Sequence, residues 1–250
     1  MPTLELQLVM NDNGRVDYGS GFLLRHASRN WLITCQHNME SGDPLNLTGS
    51  LDCREVKIRR PFQSSIKTDG RTVVGARIDG VLADCAAIEL FQEDIPNDLI
   101  PPSIETKLPY AVDTPVGLTL LINGSEHKHI AAPDRQLLVE GYADGEVGHV
   151  GLRKYRCAEF AFLDRVKPFM LMFHPGATQG VSGGPVVELH PDGHQNLLAI
   201  YTHNANQDLT LDHTIKAVVR TGAAVPLPLL LKAIDQSSLG IAQIVDLKLE

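Results

Sequence analysis

The sequence predicts an all-β fold of antiparallel barrels followed by a C-terminal α-helix. Short apolar runs recur along most of the chain, separated by Gly, Pro, Asn and Asp, and several alternate apolar with polar residues. A period of two marks half-buried strands, and many short strands with few helical runs point to antiparallel barrels. One helical stretch stands apart near the end, where Leu227, Leu230, Leu231 and Ile234 recur at i, i+3, i+4 and i+7.

The first expected strand, residues 4–10, puts Leu4, Leu6 and Leu8 on one face with Glu5 and Gln7 opposite. Further strands are expected at 21–25, 31–34, 56–59 and 86–91, then at 116–122, 136–142, 158–163, 169–173, 186–189 and 197–201. Between these two groups, Pro96, Pro101, Pro102, Pro109 and Pro115 crowd one stretch. Proline cannot donate to a ladder, so this stretch reads as a linker. The expected organisation is an N-terminal barrel over 1–93, a Pro-rich linker over 94–115, a C-terminal barrel over 116–225, and a helix with a tail over 226–250. Pro226 suits a helix start and Gly240 a helix stop. In the tail, Val245, Leu247 and Leu249 alternate, which fits an added strand, packing on the core, or contact with a second subunit.

Composition narrows the function. The chain has 250 residues, 43% of them hydrophobic, enough for a substantial core. Its net charge is −8, and no basic cluster exceeds Arg59-Arg60, so nucleic acid is not an expected partner. No apolar run approaches the roughly 20 residues that span a bilayer, and Met1 to Glu5 lack the features of a signal peptide. Neither a membrane association nor a cofactor is expected. The four cysteines, Cys35, Cys53, Cys85 and Cys157, lack metal-binding spacing and read as small buried thiols. His127-Lys128-His129 and His190-Pro191-Asp192-Gly193-His194 have no cysteine or carboxylate cluster to complete a tetrahedral set, so no metal is expected.

The chemistry sits in Gly180-Val181-Ser182-Gly183-Gly184-Pro185. Glycines on both sides of a serine permit a tight turn that exposes its Oγ and aims successive amide N–H groups at one point. Such a cluster of donors forms an oxyanion hole. Upstream, Thr34-Cys35-Gln36-His37 ends one strand-like run and Asp84-Cys85-Ala86-Ala87-Ile88-Glu89-Leu90 begins another. The order His37, Asp84, Ser182 matches one known order of a nucleophilic triad. Asp79 competes for the acid, but the alternating pattern that follows Asp84 favours the latter. Ser20, between Gly19 and Gly21, is the rival serine; it precedes the histidine, lacks the trailing Gly-Pro, and reads as a turn.

Six segments in order resemble the trypsin/chymotrypsin-like serine peptidase family. They are Gly19 to Leu24, Trp31 to His37, Asp84 to Leu90, Gly180 to Pro185, Leu198 to Asn204, and Ala223 to Leu227. The resemblance implies a chymotrypsin-like pair of antiparallel Greek-key β-barrels with the site in the cleft between them. It implies His37 as base, Asp84 as its orienting acid and Ser182 as nucleophile, with the N–H groups of Gly180 and Ser182 as the oxyanion hole. It further implies a serine endopeptidase acting on a protein or peptide through an acyl-enzyme.

Two departures from the secreted members refine this. Asn38 stands where they have a half-cystine, and Val181 where they have an aspartate that pairs with a newly cut N-terminus. The resemblance thus implies an intracellular, non-zymogen type in the reducing cytoplasm, restrained by a regulatory protein partner or an effector. Gly176 falls at the base of the primary specificity pocket, beside Ala177 and Thr178, with Thr202 and His203 on the other wall. No carboxylate stands there, so cleavage after a small, apolar or polar uncharged residue is expected rather than after Lys or Arg. Two alternatives remain: a protease fold serving as a peptide- or protein-binding module with little turnover, and an esterase or other acyl hydrolase using the same chemistry.

Overall fold

The structure is a computed structural model. It describes residues 3–11, 14–40, 46–101, 119–122, 125–129, 136–143, 151–160, 170–173, 179–189, 195–204, 207–211, 215–219 and 221–248. In the first half, β1 (Thr3–Met10), β2 (Val16–His26) and β3 (Arg29–Thr34) lead into a short helix α1 (Gln36–Glu40). Then come β4 (Cys53–Arg60), β5 (Ser64–Lys67), β6 (Val73–Ile78) and β7 (Val81–Leu90). The second half runs through β8 (Thr119–Ile122), β9 (Ser125–His129), β10 (Gln136–Ala143), β11 (Gly151–Phe160) and β12 (Met170–Phe173). It continues with β13 (Pro185–Leu189), β14 (Gln195–Asn204), β15 (Gln207–Leu211), β16 (Ile215–Val219) and β17 (Thr221–Pro226). Helix α2 (Leu227–Gln236) and β18 (Ala242–Leu247) end the chain.

The first-half strands and β18 form one sheet in the order β18-β6-β7-β3-β2-β1-β4-β5. The sheet curls, so that Ile66 of β5 and Val73 of β6 share a core with Leu4, Leu6, Leu8, Leu23, Leu32 and Ile88. The alternation in residues 4–10 is therefore realised, with the three leucines facing inward. Glu5, on the other face of β1, is also covered, because β1 lies against β10 and its Thr3 hydroxyl donates to Glu140 Oε2 at 3.0 Å.

Strands β2, β3 and β7 are buried on both faces. Phe22, Leu24, Trp31, Ile33, Cys85 and Ala87 pack away from that core, against Leu227, Leu230, Leu231 and Ile234 of α2. Double burial explains why Trp31-Leu32-Ile33 is unbroken by polar residues. Burying each large apolar side chain is worth about 1.5–3 kcal/mol, so this interface ties the C-terminal helix firmly to the first half. His26 Nε2 and Asp235 Oδ1, 2.6 Å apart, add a polar tie at its edge.

In the second half, β10-β11-β12-β17-β14-β13 close into a barrel around Leu137, Val139, Ala143, Val181, Val186, Ala199, Tyr201 and Ala224. The two other pairs, β8–β9 and β15–β16, are separate antiparallel ribbons. The expected Pro-rich stretch falls largely outside the described residues.

The helix stops earlier than expected. Both the amide and the hydroxyl of Ser237 donate to Ile234 O, at 3.1 and 2.7 Å, and Ser237 turns to extended backbone. Gly240 (φ +72°) instead forms the turn into β18. Over its described residues the tail combines the first two of its three open fates. It pairs with β6 in parallel, from Ala242 opposite Val73 to Leu247 opposite Ile78, and buries Val245 and Leu247 in the core shared with α2. Among the described residues, no helix is long and apolar enough to cross a membrane.

Candidate active site

The site begins where β3 gives way to α1. The first amides of a helix have no partner within it. Here the N–H of His37 donates to Asp84 Oδ1 at 2.9 Å, while Asp84 Oδ2 lies 2.8 Å from His37 Nδ1. One carboxylate thus fixes both the backbone and the ring of the same residue. Asp84 is fully buried, and the His37 side chain is 12% exposed.

A β-bulge aims Asp84. Gly75 pairs with Ala86 and Ala76 with Ala83, which leaves Asp84 and Cys85 as extra residues on β7. The pairing of β3 with β7 ends at Thr34 opposite Ala86. Asp84 therefore lies just past the end of β3, where α1 starts. Asp79 occupies the β6–β7 hairpin tip with Gly80, both at positive φ, and takes no part in the site.

Ser182 lies in a tight turn. Gly184 N donates to Val181 O at 3.0 Å, Gly183 N to Tyr201 O at 2.8 Å, and Gly180 and Gly183 have φ of +93° and +91°. The Ser182 carbonyl accepts from Ser20 N at 2.8 Å and from Asn38 Nδ2 at 3.1 Å. The residue after His37 thereby holds the backbone of Ser182. A cavity of about 320 Å³ is lined by His37, Asn38, Gly180 and Ser182, with Gln179 and residues Arg15 to Tyr18 completing its wall. Among the described residues, no hydrogen bond joins Ser182 Oγ to His37; Asp84 engages Nδ1 of that ring, and Nε2 is its other nitrogen. Among the described residues, the amides of Gly180 and Ser182 donate to no acceptor.

Cys35 lies beneath the pair. Its Sγ donates to Tyr201 O at 3.1 Å, and burial, followed by the nearby Asp84 charge, pushes its pKa well up. Ligand atoms of Cys35, His37 and Asp84 lie within 4.8 Å of one another. A thiol kept protonated and donating, beside a histidine and an aspartate bonded to each other, is a poor ligand set for a metal.

Cys35, Cys53 and Cys85 are unbridged and buried, as expected; the side chain of Cys157 lies outside the described residues. Burial likewise raises the Cys85 thiol, and it raises Cys53 to about 11. On unfolding, each thiol returns to about 8.5, so the unfolded chain loses these protons first and stability declines as pH rises past that value. In a Cys157→Ser variant at pH 8, an aromatic disulfide reagent should give no signal from native protein and three thiols after guanidinium. Reaction of native Cys35, Cys53 or Cys85 at the unfolded rate would contradict this burial.

The structure brings His37, Asp84, Gly180 and Ser182 to one place. Gly176, Ala177 and Thr178 lie outside the described residues. Thr202 is fully buried, its hydroxyl donating to Ala223 O at 3.1 Å and lying 2.9 Å from His203 Nδ1. Neither Thr202 nor His203 lines the described cavity. Sequence reasoning did not assign Asn38 or Ser20 to the site. Ser20 is a correction: it is a fully buried residue inside β2, not a turn. The signal was Gly19, where a side chain would collide with the Asn38 amide.

The chain is similar to the crystal structure of a thermostable serine protease, AL20, from an extremophilic microorganism. That match has 10% identity, covers 94% of this chain and 97% of the other, and has a TM-score of 0.55. Protease Anisep from Arthrobacter nicotinovorans matches at 10% identity over 90% of this chain and 89% of that one, with a TM-score of 0.53. The fold is chymotrypsin-like. No protein-family model matches the sequence, and no curated protein matches it. This chymotrypsin-like chain thus has near-complete fold coverage with little sequence left in common.

Proposed function

We propose that the chain is a serine endopeptidase in which the first half, residues 1–93, supplies His37 and Asp84 and the second, residues 116–225, supplies Ser182. The observation that supports it most is the buried Asp84 carboxylate gripping His37 through both oxygens, at a cavity shared with Ser182 and the amides of Gly180 and Ser182. Asp84 holds the proton of His37 on Nδ1 and leaves Nε2 as the base. With peptide bound, Ser182 Oγ closes on Nε2, gives up its proton and attacks the carbonyl carbon. The Gly180 and Ser182 amides stabilise the resulting oxyanion, each worth about 3–4 kcal/mol of barrier. The imidazolium then protonates the leaving amine, and water releases the acyl group by the same steps.

Val181 is buried in the second barrel. Packing can therefore order the loop without a liberated N-terminus, which favours the non-zymogen reading and restraint by narrow specificity, a partner or an effector. The three unbridged thiols suit a reducing compartment such as the cytoplasm. With no carboxylate at positions 176–178, the preferred residue before the cut is small, apolar or polar and uncharged.

A fluorophosphonate probe should label the wild-type protein on Ser182 and leave Ser182→Ala unlabelled, and a peptide library should report amide cleavage by the wild type alone. Folded protein that never labels, with candidate partners present, would make the cavity a peptide-binding groove. Labelling with ester turnover but no amide cleavage would make the chain an acyl hydrolase of another kind.

A further inference from the structure

The structure assigns Ser20 the role of positioning residue for the nucleophile loop, a role that rests on the hydrolase reading. Its side chain is fully buried, and every polar atom of the residue is engaged. The hydroxyl accepts from Tyr142 N at 2.7 Å, so its own proton is directed elsewhere, to Gly180 O at 2.8 Å. The Ser20 amide donates to Ser182 O at 2.8 Å, and its carbonyl accepts from Thr34 Oγ1 at 2.8 Å. Thr34 Oγ1 in turn accepts from Asn38 Nδ2 at 3.0 Å, and that amide also reaches Ser182 O.

Two peptides of the loop, with one peptide between them, are thereby pinned by one residue. The peptide after Gly180 is fixed by the hydroxyl, and the peptide after Ser182 by the main chain of Ser20. Both carbonyls are drawn toward β2, and between them Val181 is sunk in the second barrel. The amides at 180 and 182 belong to the adjoining planes, 179–180 and 181–182. The second lies between the two pinned planes, and the first meets one of them at the Gly180 Cα, so the pinned carbonyls limit how far either amide can turn from the cavity. Val181 carries no charge with which to anchor the loop, and the Ser20 hydroxyl, joining β2, β10 and the loop, does that work with neutral hydrogen bonds. Alanine at position 20 removes the hydroxyl that links Tyr142 N to Gly180 O while keeping the main-chain bond to Ser182. The loss should fall on the transition state, where the amides act, and spare ground-state binding.

In Ser20→Ala, kcat should fall about 100-fold, as for a misplacement of catalytic groups, with KM within about threefold and fluorophosphonate labelling slowed in proportion. Hydrogen exchange followed by mass spectrometry should accelerate in peptides covering 179–184, while the core strands of both halves keep wild-type protection. Thr34→Val disturbs the same cluster without touching the hydroxyl relay, so it should label within about threefold of wild type. Should Ser20→Ala fail to fold, Ser20→Cys, a weaker donor, takes the same measurements. Wild-type labelling in Ser20→Ala, unchanged exchange at 179–184, or equal slowing by Thr34→Val would each overturn the assignment. A wild-type protein that does not label fails the hydrolase reading, and the exchange comparison in that protein still decides for or against Ser20 as the anchor of the loop.

Discussion

Asp84→Asn should keep its fold and lose about four orders of magnitude in kcat/KM. The carboxylate has two obligations that an amide cannot meet together: Oδ1 accepts the His37 backbone N–H and Oδ2 accepts the proton on Nδ1. Asparagine offers one acceptor and one donor. The amide oxygen should stay with the backbone N–H, whose direction is fixed by α1, and the NH₂ then faces Nδ1. A donor there requires an unprotonated Nδ1, so the ring proton moves to Nε2 and the base disappears from the side that faces Ser182. Volume and packing barely change, so thermal denaturation should show a modest shift beside the kinetic loss. Activity or fluorophosphonate labelling within tenfold of wild type would mean that Asp84 holds α1 in place and has no part in proton transfer.

How far the sequence foretold this arrangement depends on what each residue has to reveal. Leu4, Leu6 and Leu8, and the helical spacing of Leu227 to Ile234, announce a buried face because burial follows periodicity directly. The His37, Asp84 and Ser182 motifs were legible because a turn of glycines and strand-flanked polar residues leave local marks. Features that depend on long-range partners left none. The alternating pattern after Asp84 favours it over Asp79, but the bulge that aims its carboxylate is defined by the pairing of β6 with β7, which no local pattern encodes. Thr202 falls at a second bulge: Tyr201 pairs with Ala224 and His203 with Ala223, which leaves Thr202 as the extra residue, with its hydroxyl turned to Ala223 O. The tail alternates like any edge strand, and its parallel partner β6 becomes available only because α2 folds back over the first-half sheet. Ser20 looked like a turn because serine between glycines usually is one. The glycine at 19 instead serves close approach, and such a reason becomes visible only once the opposing chain is in place.

The same close approach makes Gly183→Ala and Gly184→Ala the most damaging small substitutions expected for folding. A Cβ at 184 would fall inside contact distance of the Glu140 carbonyl oxygen, and one at 183 would strike Ser20 O and Thr34 Oγ1. The main atoms struck are backbone of β10 and β2, which cannot swing aside as a side chain can. The loop is a wedge with one glycine against each half of the molecule, so relief at either position means separating that half from the loop. At 183 the φ of +91° adds conformational strain to the collision. Overpacking of a tight site costs about 1–3 kcal/mol. Left-handed backbone at a non-glycine residue costs a similar amount. Gly183→Ala should therefore lose about 3 kcal/mol or more in urea titrations. Gly70→Ala separates the two causes, since its φ of +73° is comparable and a Cβ there would meet nothing within 4 Å. It should lose only the conformational part, about 1 kcal/mol. Gly184 has no positive φ, so its loss isolates the collision. Equal stabilities for Gly183→Ala and Gly70→Ala would mean that the loop yields to an added methyl group, and a loop that yields could not hold two amides fixed on a developing oxyanion.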